Sequence, residues 1–250
     1  MIKDFIRSVC QKLLGFDNYL FVFSLVNSQR IRAGNYEKEF RYFMHMLPDE
    51  GAILDIGANI GIMTVALAKH KRLSTIHSFE PIPNNLRALE RVIRFYKLKN
   101  VRVFPIALGE EDSMVKMLLP VAKKSKMQGL SHIVMPGQTH QPGEIFSVNL
   151  KKMDDIPELH AIKRLTGIKM DVENFELYVL KGGEVLIKKH LPVIYCELWD
   201  NDMRQLCFDL LSKFGYRAMI YQHGRLVDFT GQVAINFFFL PQVIHSTNVL

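Results

Sequence analysis

Acids stand at the ends of four apolar runs: Asp55 after Ala52-Ile53-Leu54, Glu80 after Phe79, Asp171 after Met170, and Glu197 near the end of Val193 to Leu198. Buried carboxylates without partners are costly. Their recurrence points to a ligand with hydroxyls, an amine and a positive centre. The first run leads into Asp55-Ile56-Gly57-Ala58-Asn59-Ile60-Gly61. Glycine lets a turn take positive φ and lets a ligand approach bare backbone. The helix that follows offers unpaired N–H groups. An acid closing the second strand of such a unit takes ribose hydroxyls, which gives Glu80 that role and makes the chain a nucleoside binder. A dinucleotide loop needs G-x-G-x-x-G. Here the spacing is G-x-x-x-G with an acid two residues before the first glycine, which repels a pyrophosphate and suits a cationic or amine-bearing ligand.

Strands and helices alternate to carry these groups. Apolar runs predict strands over 52–56, 75–79, 101–106, 166–170 and 193–198, and apolar periodicity predicts helices over 60–70, 83–96, 175–189 and 203–214. Residues 113–119 and 145–150 read as a strand pair, and 216–221 and 234–240 as two closing strands. Between the strand pair, Pro120 to Glu144 shows no clear element, and a loop of that length usually carries function or is disordered. Residues 1–47 read as an N-terminal helical extension of two or three helices, the last over 35–46, and residues 48–250 as the domain that binds the ligand. The alternation implies an α/β, Rossmann-like fold: a mostly parallel sheet with helices on both faces and one antiparallel edge strand. Ligands in such sheets sit beyond the carboxyl ends of the strands.

A chain of 250 residues with 48% apolar and 23% charged residues is an ordinary globular one, long enough to bury a core without staples. Three cysteines without C-x-x-C spacing fit a reducing compartment and exclude a cysteine-based zinc site. The nine histidines show no H-x-x-x-H or H-E-x-x-H spacing, and no metal is expected. Net charge is +7, which favours anionic partners. Residues 1–15 have the rhythm of a basic amphipathic helix rather than a secretory signal. The expected location is therefore cytoplasmic, with peripheral attachment to the inner face of a membrane open to that helix. Oligomeric state is not legible.

Asp55-x-Gly57-x-x-x-Gly61 resembles the first motif of S-adenosylmethionine-dependent methyltransferases. With it stand FEPIPNNLRALE at 79–90, IALGEED at 106–112, SVNLKKMDDI at 147–156, KMDVENFELYVLKGGEVLI at 169–187 and PVIYCEL at 192–198. In this order the segments are similar to the FkbM family of these enzymes. The resemblance implies the class I methyltransferase sheet of seven strands, S-adenosyl-L-methionine as cofactor, and O-methylation of sugar or metabolite hydroxyls. It implies that Asp55 holds the methionine ammonium and that Gly57 and Gly61 let the backbone pass the cofactor. Asn59 would meet the methionine carboxylate, Glu80 both ribose hydroxyls, Asn85 would add a contact, and Ala107 would line the adenine site. Asp171 and Glu173 would be catalytic, with one of them or a nearby histidine the base for the acceptor hydroxyl. Lys169 would pair with Asp171 or Glu173, and Lys169, Glu197, His132 and His140 are substrate candidates. The family commonly has Glu-Gly after the fourth strand, where this chain has Glu173-Asn174. Asparagine is the best non-glycine residue for left-handed backbone.

The leading reading is methylation of a small-molecule or glycan hydroxyl by in-line displacement. An RNA or protein methyltransferase would suit the basic charge. Against it, Asp-Val-Glu-Asn stands after the fourth strand in place of an Asn-Pro-Pro-Tyr-type motif, and no RNA-binding appendage is visible, so no specific nucleic-acid partner is expected. A non-catalytic cofactor-binding scaffold is the third reading.

Overall fold

The computed structural model describes residues 2–32, 37–122, 125–135 and 141–242. Three helices come first: α1 (Ile2–Leu14), α2 (Phe16–Arg32) and α3 (Lys38–Met46). The alternation then runs β1 (Ala52–Ile56), α4 (Ile62–His70), β2 (Thr75–Phe79), α5 (Pro83–Tyr96) and β3 (Val101–Phe104). A second group holds β4 (Ala107–Gly109), β5 (Ser113–Ala122), β6 (Ser125–Lys126), β7 (His132–Ile133), β8 (Gly143–Lys152) and α6 (Pro157–His160). The chain returns through β9 (Leu165–Met170), α7 (Glu176–Gly182), α8 (Glu184–His190), β10 (Val193–Glu197) and α9 (Asp202–Lys213). It closes with β11 (Tyr216–Gln222), β12 (Arg225–Asp228) and β13 (Asn236–Pro241).

The main sheet has eight strands in the order β12-β11-β13-β10-β9-β1-β2-β3. Strands β3, β2, β1, β9 and β10 run parallel, while β13 is antiparallel to both β10 and β11. This corrects the expected seven strands: an antiparallel strand does close the edge, beside β11, but a second one, β13, lies inside the sheet. The added edge strand is β12. It pairs Gln222 with Arg225 around His223 and Gly224, both with left-handed φ (49° and 84°). A two-residue hairpin turn needs that backbone, and a His-Gly pair supplies it less visibly than Asn-Gly. Chain order reverses at β1, between β2 and β9, so the strand-end crevice opens there.

Two clusters fill the two faces of the sheet. Leu54, Ile56, Ile168 and Met170 look toward α7–α9 and the second sheet, in which β5 and β8 pair antiparallel and β4 lies parallel to β8. Ile53, Ile76, Tyr195 and Phe238 meet Phe40, Phe43 and Leu47 on the other face, so α3 is built into the core. The helix expected over 175–189 breaks at Gly182-Gly183. A Cβ on Gly182 would lie 1.8 Å from the Gly109 carbonyl, so glycine there permits α7 to press on β4. The stretch expected to lack regular structure contains β6, a short 3-10 turn (Gln128–Leu130) and β7, with 123–124 and 136–140 outside the described residues. His140 is among the latter.

Candidate functional site

The loop after β1 is wound tightly. Gly57, Asn59 and Gly61 have φ of 74°, 51° and 85°. A Cβ on Gly57 would lie 1.9 Å from the Asp171 carbonyl, so only glycine lets the loop pass the end of β9. A Cβ on Gly61 would meet Leu89 and Val92 of α5 at 2.7 and 3.0 Å, so this glycine serves helix packing. The loop N–H groups are used internally. Gly57 and Ala58 donate to the Phe79 carbonyl, Gly61 to Ala58, Ile60 to the Asn59 side chain, and Asn59 to Glu80. The N–H groups of Gly57 to Gly61 are thus spent within the protein.

Glu80 is nearly fully buried at the end of β2. Its Oε2 accepts from the Asn59 N–H at 2.8 Å; its Oε1 accepts from the Ile82 N–H at 2.8 Å and from Asn85 Nδ2 at 3.3 Å. A carboxylate offers about four lone-pair positions, so capacity remains for a hydroxyl donor. Beside it, Asn85 Oδ1 is buried without a hydrogen-bond partner. Both residues line a cleft with Gly57, Asn59, Ala107 and Asp171. Phe79, Ile106, Leu108 and Met117 give the cleft apolar walls, and Gln128, Gly129 and Ser131 close one side. An orphaned amide oxygen and a carboxylate with acceptor capacity left, beside an apolar slot, fit a ligand that brings hydroxyl donors and a flat apolar ring, as a nucleoside does.

Asp55 lies elsewhere than expected. It is completely buried and does not line the cleft. Its Oδ2 accepts from Thr64 Oγ1 of α4 at 2.5 Å, and its Oδ1 faces Lys169 Nζ at 3.6 Å. Asp55 pairs in register with Lys169 on β9 and Ser78 on β2, and Thr64 Oγ1 lies 3.3 Å from Ser78 Oγ. A polar string therefore crosses three central strands under the loop. Lys169 Nζ also donates to the Gly57 and Ile56 carbonyls at 3.0 and 3.5 Å. Burial alone would lower its pKa, but the charges of Asp55 and Asp171 outweigh that and hold it above the usual lysine value. Lys169 is thus buried away from the cleft and paired with Asp55 rather than placed for a substrate, and the two support the loop from below.

At the end of β9 the chain turns through Glu173 and Asn174, both left-handed (φ 54° and 72°). The Asn174 side chain accepts from Asn201 Nδ2 at 2.6 Å, which ties this turn to the start of α9. Asp171 and Glu173 line the first cleft. Glu173 also lines a second one with His132, Tyr178, Asn201 and Asp202, and the two clefts share Ile133, Glu173 and Phe175. His132 Nδ1 lies 2.9 Å from the Leu130 carbonyl. Glu197 ends β10 and lines neither cleft. Among the described residues no group of three or more His, Cys, Asp or Glu is arranged to hold a metal ion. Sequence reasoning missed Glu176, whose buried carboxylate accepts from the Val172 N–H at 3.1 Å and fixes the turn. Its place in the first turn of α7 was the available signal.

Burial, reinforced by the charge of Asp171, raises Glu173 to about 8 and Glu197 to about 7. Burial also lifts Glu80 and Glu176 to about 7, against their hydrogen bonds. Each of these carboxyls holds a proton in the folded chain at pH values where the unfolded chain has released it. Their stabilising contribution is full below about 4.5 and is lost as pH rises through 7 to 8. His77, lowered to about 4 chiefly by burial, acts oppositely between about 4 and 6.5. Above 6.5 only the carboxyls remain, so the melting temperature of the ligand-free protein should fall from pH 6.5 to 8.5. Each proton held only by the folded state contributes about 1.4 kcal/mol per pH unit. A flat or rising melting curve over that range would show the carboxylates to be solvated.

The sequence matches the Methyltransferase FkbM domain over residues 55–219. It is 27% identical over 178 residues to "Methyltransferase 1" of Beauveria bassiana, covering 66% of this chain and 68% of that protein. It is 22% identical to the AMB antimetabolite synthetase AmbE of Pseudomonas aeruginosa, covering 72% of this chain and 10% of that much longer protein. Among solved structures it is similar to a methyltransferase FkbM from Methylobacillus flagellatus. The TM-score is 0.51 at 21% identity, covering 76% of this chain and 44% of the other, so the chain spans less than half of that relative. This likeness shows the fold.

Proposed function

Because the chain belongs to the FkbM methyltransferase family, we propose that it transfers a methyl group from S-adenosylmethionine to a hydroxyl of a small molecule or glycan. The observation that carries this reading is the buried Glu80–Asn85 pair in an apolar cleft at the strand switch point, with Glu173 on the same cleft. Glu80 and Asn85 Oδ1 would accept from the ribose hydroxyls, and Ala107, Ile106 and Leu108 would contact the adenine. When bound, the cofactor supplies a methyl group on a positively charged sulfur. The second cleft, which shares Ile133, Glu173 and Phe175 with the first, is where the acceptor would lie. Alignment of acceptor oxygen and methyl carbon contributes most of the rate effect. Glu173 would take the acceptor hydroxyl's proton, while the cofactor would supply the methyl group to that oxygen.

A base held at about 8 has a proton affinity suited to taking a hydroxyl proton near neutral pH. Turnover should therefore rise between pH 7 and 9. Glu173→Gln should cut turnover on the order of a hundredfold and remove that rise, while leaving S-adenosylhomocysteine affinity within about threefold, since Glu80 is untouched. Labelled-methyl transfer to a panel of hydroxylated acceptors reads all three. Retained turnover in Glu173→Gln would remove Glu173 as the base, and transfer to none of the acceptors would count against the hydroxyl reading.

A further inference from the structure

We propose that the outer face of α1 and α2 docks this protein onto a membrane surface carrying anionic lipid headgroups. The starting observation is that α1 is mounted the wrong way round for a helix covering a core. A surface helix of a globular protein turns its apolar stripe inward. In α1 the polar residues Arg7 and Gln11 face the protein. Arg7 donates to the Met127 sulfur, and Gln11 exchanges hydrogen bonds with the Lys126 backbone at 3.0 and 2.9 Å. Ile6, Val9 and Leu13, three and four residues apart on one side, are left in water, with Leu13 78% exposed. Val22 and Val26 of α2 and Phe95 of α5 add further exposed apolar surface. Single exposed apolar residues are ordinary; a stripe of this kind marks an interaction site.

Charge selects the occupant. Helices α1, α2 and α5 contain eight Lys and Arg against three Asp and Glu. Of these, Arg7 faces the protein and Arg87 is paired with Asp17, so the border rests on other basic residues. Lys12 is exposed next to Leu13, and Arg94 next to Phe95. An apolar stripe bordered by basic side chains is the pattern of a helix lying in an anionic interface. A second copy would set the same basic border against itself across a two-fold axis, where like charges oppose each other. No single described helix is long and apolar enough to cross a bilayer, and the pair that qualifies jointly is bent by 119°. The inner side of α2 is fixed by buried Leu20 and by Ser24 Oγ donating to the Ile60 carbonyl at 2.7 Å. The pair therefore lies on the surface rather than spanning it. Because α1 holds Lys126 and Met127, next to the cleft-lining Gln128 and Gly129, docking would set the mouth of the cleft close to the lipid.

The test is flotation of the full chain with phosphatidylcholine vesicles, with and without phosphatidylglycerol. Wild type should float with the anionic vesicles and only weakly with neutral ones. Ile6→Glu with Leu13→Glu should lower partitioning by at least about tenfold with an unchanged melting temperature, since both sites are exposed. Leu13→Ser alone should give a smaller loss in the same direction. Wild type that stays with the soluble fraction, a double variant that floats as well as wild type, or equal flotation with neutral vesicles would each overturn the proposal. So would a dimer that the double variant abolishes without any vesicle binding, which would assign the face to a second copy.

Discussion

Lys169→Met should lower the melting temperature on the order of 10 °C, the largest stability loss expected from a single change near the site. Asp55 has no exposure and keeps only the Thr64 hydroxyl once the ammonium is gone. Removing one partner of a buried ion pair costs about 3–5 kcal/mol, because the other charge stays buried, and each kcal/mol shifts a protein of this size by about 2–4 °C. Methionine keeps the volume of the lysine stem, so packing contributes little to the loss. The Gly57 and Ile56 carbonyls also lose a donor, and with it the loop loses its underside support. Adding Asp55→Asn should restore most of the loss, since no buried charge then remains. Thermal melts of the two variants check this. An unchanged melting temperature for Lys169→Met would mean that the ion pair does not support the strands.

Glu80→Ala should weaken S-adenosylhomocysteine binding by roughly a thousandfold. Two effects add. Hydroxyl contacts to a charged acceptor contribute about 1.5–3 kcal/mol each, and the Asn59 and Ile82 N–H groups lose the carboxylate that sets the loop beside the cleft. Glu80→Gln should lose less, because the amide keeps one acceptor oxygen. Binding in the alanine variant within threefold of wild type would place the ribose elsewhere.

Much of the lining of the first cleft was legible because its signals are local. An apolar run, an acid and spaced glycines announce β1 and its loop, and Glu80 follows from the end of β2. The role of Asp55 was not legible. Alternation within β1 puts Ile53 and Asp55 on one face and Leu54 and Ile56 on the other, but the partner that keeps Asp55 from the cleft is set by register with β9, which no local pattern encodes. Glu176 looks like any acid in a first helical turn; only the return of the chain onto Val172 buries it. Residues 125–133 form two-residue strands and one short turn, too brief for any periodicity to show. The edge strand β12 was hidden by its His-Gly turn.

The most direct test of the account is calorimetric titration of the wild-type protein with S-adenosylhomocysteine at pH 7.5. One-site binding at micromolar affinity, competed by S-adenosylmethionine, is the result expected if the cleft between β1, β2 and β4 holds the cofactor. No heat of binding from a protein that melts cooperatively would contradict it, leaving a family fold without the family's cofactor site.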